Sequence, residues 1–434
     1  MNQTSTLKNY IKYVVINCLG SIGLSCYILA DTFFVSLALG TTGLAALNLS
    51  ISVFSIIQGL GLLLGIGGAT LFSIKASKKE QNDALTLTLL LWGIASILLL
   101  IIAVFCPTAI ARLLGADENT LPLTVTYLTV LLYFAPAFLL NNIMLAFIRN
   151  DNNPGLSMLA MIISSLSNIV LDYVFMFPLG MGIFGAVFAT CLSPLISLGI
   201  LSLHVIRKKN TFTVLKCKAS LSAFRTIAAL GFSSMIGELA SATTLIVFNL
   251  AIYRITGNTG VAAYGIVANV ALIVTAIFTG VSQGTQPLAS KAYGAGDQSV
   301  IRKIKQYAFR TAFMLAFLTY AVILLFSPSI ISVFNSEGNE TLFRLAHEGS
   351  IIYFTGYLFA GANIVMAAFL SAVGNTKGAF IISSLRSMIL IIPLALILSS
   401  LYQMNGIWFS FVITEVLVFS ITLFYYRRLY SHIR

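Results

Sequence analysis

The sequence predicts an all-α integral membrane protein with twelve transmembrane helices, arranged as two parallel-repeat six-helix lobes. Three observations predict it. The composition is 58% apolar and 9% charged, whereas soluble domains carry about 25% charged residues. Apolar stretches of membrane-spanning length recur along the whole 434-residue chain. The second half of the sequence repeats the first.

A helix needs about 20 apolar residues to cross about 30 Å of hydrocarbon at about 1.5 Å per residue. Stretches of that kind occupy residues 13–38, 44–73, 84–106, 121–148, 155–178, 182–205, 225–252, 261–290, 306–327, 348–371, 378–399 and 405–426. Their continuous apolarity excludes barrel strands, which alternate over about ten residues. Met1–Lys12, ahead of the first span, has no short apolar core with a small-residue cleavage site, so it is expected to be a retained cytoplasmic tail.

The formal charge of +12 would suit nucleic acid in a soluble protein, but here its distribution gives it another meaning. With the N-terminus inside, every Lys and Arg except Arg112, Arg254, Arg344 and Arg386 falls on the cytoplasmic side, including Lys216, Lys218 and Arg434. That is the positive-inside bias, and an even number of spans leaves both termini cytoplasmic, in a cell membrane. Nucleic acid is thereby set aside as a partner. Five cysteines without CxxC spacing and three histidines without ligand spacing indicate neither a disulfide framework nor a metal centre.

The repeat is read residue by residue. Thr42-Gly43-Leu44-Ala45-Ala46 recurs as Thr259-Gly260-Val261-Ala262-Ala263, and the same register carries Gly67 onto Gly284 and Ser73 onto Ser290. Further on, Ala146-Phe147 matches Ala368-Phe369, and Gly182-Ile183-Phe184 with Thr190 matches Gly406-Ile407-Trp408 with Thr414. Six helices per half give both halves the same orientation, a device of secondary transporters. The expected organisation is an N-terminal lobe over 1–206, a basic cytoplasmic linker over 207–224 and a C-terminal lobe over 225–434.

An ionisable side chain at bilayer depth costs about 2.5 kcal/mol or more, so each one asks for a function. Asp31, Asp172, Glu238, Arg386 and Glu415 are the candidates. Asp31 and Asp172 lie roughly 27 and 26 Å above the cytoplasmic starts of their helices, at one level. Asn168 precedes Asp172 by one turn, Tyr27 precedes Asp31 by one turn, and Thr190 offers a hydroxyl from the next helix. Two carboxylates, an amide and a hydroxyl make a hard oxygen cluster able to hold Na+ or to share a proton. Tyr27, Glu238 near mid-depth and Asn141-Asn142 in the fourth span are candidates for lining a substrate cavity. Glu238 and Glu415 are equally candidates to pair with Arg386. Acids outnumber bases inside the spans, which favours a cationic cargo.

Leu29-Ala30-Asp31-Thr32-Phe33-Phe34-Val35 with Gly43-Leu44-Ala45-Ala46, and Asn168-Ile169-Val170-Leu171-Asp172 followed by Gly180-Met181-Gly182-Ile183-Phe184-Gly185-Ala186 and Ala189-Thr190, resemble the multidrug and toxin extrusion (MATE) family. Gly374-Asn375-Thr376-Lys377, Arg386-Ser387, Pro393 and Gly406-Ile407-Trp408 extend the resemblance across the second half. It implies a V-shaped pair of six-helix lobes within the multidrug/oligosaccharidyl-lipid/polysaccharide flippase superfamily. It also implies export of small organic cations or drugs in exchange for H+ or Na+, with no cofactor, by a monomer. By position, Asp31, Asn168, Asp172 and Thr190 match that family's N-lobe cation site, and Tyr27 a neighbouring tyrosine. The chain departs from the branch with a C-lobe acidic pair: Glu238 sits about a turn early, and the tenth span has no interior acid.

Two alternatives are weighed against export. A lipid-linked oligosaccharide or polysaccharide flippase would need buried cations facing a pyrophosphate, and only Arg386 qualifies. An intramembrane enzyme would need a nucleophile with a base or a metal set, and the chain has no HExxH, GxSxG or paired histidines.

Overall fold

Apolar spans with no sheet partner satisfy their backbone only as helices, and the computed structural model is helical throughout its membrane-crossing length. It describes residues 3–215, 217, 220–335 and 338–431; Lys216, Lys218 and Arg434, counted above as cytoplasmic, lie outside the described residues. In chain order the spans are α1 Thr6–Gly40, α2 Thr42–Ile74, α3 Lys78–Phe105, α4 Leu121–Tyr133 plus Ala135–Asn150, α5 Pro154–Met176 and α6 Gly182–Ile206. The second half supplies α7 Leu221–Gly257, α8 Thr259–Gly294, α9 Gln298–Phe334 and α10 Glu340–Thr355 plus Tyr357–Ala372. The last apolar segment, Thr376–Phe424, breaks at Gln403 and so counts as α11 over 376–402 and α12 over 404–424, which makes twelve among the described residues.

Several helices outrun the apolar stretches that predict them. α9 runs from Gln298 to Phe334, where hydropathy alone suggests 306–327, because helical hydrogen bonding continues through the basic turn of Arg302, Lys303 and Lys305. The stretch expected as a tail is likewise helix from Gln3 onward. Tyr10 and Tyr13 are buried, and the Tyr10 ring lies 5.7 Å from Tyr307. Thr6, Tyr10, Tyr13, Val14 and Asn17 share one face at helical spacing while Lys8 and Lys12 stay exposed, so this stretch begins the first helix.

The repeat reappears in the backbone. Gly40 separates α1 from α2 at φ 62°, ψ −152°, and Gly257 separates α7 from α8 at φ 62°, ψ −151°. That region is essentially glycine-only, so the duplicated glycine dictates the duplicated break. α4 bends by 49° at Phe134 and α10 by 45° at Gly356, again at matching positions. The chain leaves both bent helices through a left-handed residue, Asn152 at φ 64° and Gly374 at φ 75°.

Two compact units result. One holds Val15–Glu238 with Ser290–Asp297, the other Met1–Val14, Leu239–Ala289 and Gln298–Arg434. The duplicated glycines account for the helical turns that each unit takes from the other sequence half. In the first unit, Gly67 on α2 packs so tightly on α7 that a Cβ would strike the Ile227 carbonyl, and a Cβ on Gly231 would strike the Leu63 carbonyl. In the second, a Cβ on Gly284 would come within 2.7 Å of Val14 Cα. The first unit's core gathers Phe72, Phe138, Phe147 and Phe212; the second is aromatic, with Phe248, Tyr264, Tyr353, Phe354, Tyr357 and Trp408.

Candidate functional site

α1 carries Tyr27 and Asp31 one turn apart, α5 carries Asn168 and Asp172 one turn apart, and α6 presents Thr190. α5 and α6 approach closely because Ser164, Ser165, Ala189 and Ser193 are small, and Ser193 Oγ donates to the Ser164 carbonyl at 3.2 Å. One turn further along, Asn168 joins the helices. Its amide, oriented by its neighbours, donates to Asp172 Oδ2 at 3.2 Å and accepts from the Thr190 N–H at 3.2 Å. Thr190 Oγ1 donates to the Ala186 carbonyl at 3.1 Å.

All four predicted residues are buried, with Asn168 and Asp172 at 0%, Thr190 at 3% and Asp31 at 7% exposure, so their polar atoms answer to protein rather than bulk water. Asp31 Oδ1 and Asp172 Oδ1 nevertheless have no hydrogen-bond partner among the described residues. Buried carboxyl oxygens without donors have one ready remedy, which is a proton or a cation.

A cavity of about 40 Å³ lies against this cluster, lined by Tyr27, Asp31, Tyr127, Thr190, Leu47 and Phe54, among others. A water needs about 10–15 Å³ and drug-sized ligands about 300–1,000 Å³, so the space suits an ion or a few waters and not an organic cation. Among the polar lining residues, Tyr127 is one that sequence reasoning missed. A tyrosine in a span is too common to stand out.

The other candidates separate. Glu238 is half-buried and within electrostatic reach of Tyr27. Asn142 does not line the cavity: its amide donates to Gln58 Oε1 at 2.6 Å and to the Phe138 carbonyl at 3.0 Å, which ties α4 to α2. Gly61 and Gly65 face it, and a Cβ on Gly65 would stand 2.6 Å from the Asn142 carbonyl. Asn141 Oδ1 is buried without a partner.

In the other unit the choice between partners for Arg386 is resolved. Arg386 Nη2 donates to Glu415 Oε1 at 2.7 Å and Nε to the same oxygen at 3.2 Å. Asn363 donates to Glu415 Oε2 at 2.8 Å and to its carbonyl at 3.0 Å. Arg386 sits in a π-helical turn, Leu385–Ile389, whose extra residue turns the guanidinium toward α12. No counterpart of Asp31 exists here: on the register of Gly40 and Gly257 its place is taken by the fully buried Phe248. The scaffold is duplicated and the chemistry is not.

A third polar cluster closes the end of the first unit. His204 at the end of α6 pairs with Asp151 Oδ2 at 2.9 Å and, through Nδ1, with Asn153 at 3.1 Å. Thr211 of the linker donates to Asp151 from its N–H at 2.8 Å and from its hydroxyl.

A family model described as MatE matches residues 17–174 and again 233–397, once in each half. The multidrug export protein MepA of Staphylococcus saprophyticus is 25% identical over 425 residues, covering 96% of this chain and 92% of that protein. MepA of Staphylococcus aureus (strain MSSA476) is 26% identical over 396 residues, covering 90% and 87%. A multidrug resistance MATE family transporter of the MOP superfamily, solved in an outward-facing conformation, superposes with a TM-score of 0.92 at 23% identity, over 98% of this chain and 96% of that one. At that identity the superposition establishes a common fold.

Proposed function

This chain belongs to the MatE family, and from that premise we propose that it is a secondary active multidrug exporter of organic cations, driven by H+ or Na+ entering at Asp31, Asn168, Asp172 and Thr190. It acts as a monomer in the cell membrane with both termini cytoplasmic and without a cofactor. Lobes 1–206 and 225–434, joined by 207–224, are the moving parts.

The observation that carries this reading is the pair of buried carboxyl oxygens, Asp31 Oδ1 and Asp172 Oδ1, left without donors among the described residues, with Asp31 lining a cavity of ion size. An uncompensated buried carboxylate costs several kcal/mol, so the site is stable in this arrangement only when a proton or cation neutralises it. Release of that ion exposes the cost and favours a different arrangement. Coupling needs only that the ion and the cargo prefer different arrangements. Cargo is read by Tyr27, which also lines the ion-sized cavity, with Asn141, Asn142 and Glu238, in which Glu238 supplies the negative charge. Tyr27, within reach of both Asp31 and Glu238, is the link between ion and cargo. The flippase alternative loses support, because the guanidinium it would need at Arg386 is neutralised by Glu415.

The test is efflux of a fluorescent organic cation from vesicles under separately imposed proton and sodium gradients. Transport should follow one gradient, and Asp31→Asn and Asp172→Asn should each abolish it at normal expression. Normal transport by either variant would remove the ion site from these residues, and no movement of any cation by wild type would remove the cargo assignment.

A further inference from the structure

A second cavity, of about 200 Å³, opens where α5 begins and α6 ends. Leu156, Leu159, Leu203 and Gly155 line it together with Asn153, His204 and the exposed cations Arg207 and Lys209. On the orientation proposed above, this end is cytoplasmic.

The charge of these two cations is uncompensated. Arg207 and Lys209 are exposed and have no acidic partner among the described residues. Asp151, which pairs with the lining residue His204, is buried and engaged by His204 and Thr211.

A left-handed turn lies between the two cations. α6 ends with the Lys209 N–H on the His204 carbonyl at 3.0 Å and the Lys208 N–H on the Val205 carbonyl at 2.9 Å, a turn that requires Lys208 at φ 51°. Glycine would make that turn without strain; here Lys208 makes it, and Arg207 and Lys209 on either side of it line the same cavity. The lining residue Leu159 is 44% exposed, and Val205 and Ile206 at the same helix end are exposed at 45% and 69%, which on a membrane protein is acyl-chain territory. A forked guanidinium and an ammonium beside leucine side chains recognise a phosphate group whose other side is greasy.

We propose that this cleft binds the phosphodiester headgroup of an anionic phospholipid, with Arg207 and Lys209 on the phosphate and Leu156, Leu159 and Leu203 against the glycerol and upper acyl carbons. Basic pockets between transmembrane helices on the cytoplasmic side have the physics for such binding. The leucine lining selects a lipid over free phosphate, which would gain nothing from it.

Native mass spectrometry of the full-length protein in detergent, titrated with phosphatidylglycerol or phosphatidylcholine of identical chains, tests this. Two cations at the headgroup predict a preference for phosphatidylglycerol of about 30-fold. Arg207→Ala with Lys209→Ala should reduce it to near parity, while Lys78→Ala with Lys79→Ala, removing the same charge elsewhere, should leave it intact. Gly155→Leu keeps every charge and fills the cleft, since nothing lies within 4 Å of a Cβ there, and should also abolish the preference. Millimolar inorganic phosphate should not displace the lipid. Equal binding of the two lipids, undiminished preference in Gly155→Leu, equal loss in the Lys78 and Lys79 variant, or displacement by inorganic phosphate would each overturn the proposal.

Discussion

Glu415→Gln removes the charge that Arg386 faces while leaving an oxygen for Asn363, so it isolates the ion pair from the rest of the cluster. Removing one member of a buried pair costs about 3–5 kcal/mol, because the survivor stays buried and uncompensated. The Arg386 side chain keeps 15% exposure, which places Glu415→Gln at the low end, about 3 kcal/mol; Glu415 keeps only 2%, which places Arg386→Met higher, at about 4 kcal/mol. Replacing both leaves no stranded charge, and such double replacements are often close to neutral. The coupling in a double-mutant cycle should therefore exceed about 2 kcal/mol, well above the roughly 0.6 kcal/mol average of intramembrane hydrogen bonds. Reversible unfolding in mixed denaturing micelles, followed by tryptophan fluorescence, supplies the four stabilities. Trp408, 6.4 Å from Tyr353 within the same core, reports the unit concerned. Additivity of the two single variants within about 0.5 kcal/mol would refute an energetic ion pair.

Two further outcomes follow from the geometry. Asp151→Ala strands His204 and frees Thr211, so trypsin should cut faster after Arg207, Lys208 and Lys209 with unchanged cutting after Lys75; unchanged protection of the linker would show that the His204 cluster does not hold it. Gly40→Ala and Gly257→Ala each force a side chain into a glycine-only backbone region at a cost of order 1–3 kcal/mol, and the matched dihedrals require similar losses in thermal stability. A neutral result at either glycine would mean that the break relaxes.

Much of the fold is legible in the sequence because each span carries its own signal. Continuous apolarity marks every helix, and the charge distribution favours one orientation. The spacing of Asp31, Asn168, Asp172 and Thr190 singles out four residues that the structure finds buried, three of them on adjoining helices. Helix ends are less legible, since hydrogen bonding continues past the apolar stretch, as α9 and the turns holding Tyr10 and Tyr13 illustrate. Sequence reasoning left Glu238 and Glu415 as equal partners for Arg386, because both are acids at mid-depth and nothing local distinguishes them.

The sequence by itself determined the solvent, the helix count and the duplication, since hydropathy and repeated glycines act over a few neighbouring residues. Only the tertiary structure decided which polar groups answer one another: Arg386 with Glu415 through a π-helical turn, Asn142 with Gln58, Asp151 with His204 and Thr211. Those pairings depend on helix rotation and close approach, which are set by the packing of side chains far apart in the chain, and no local pattern encodes them.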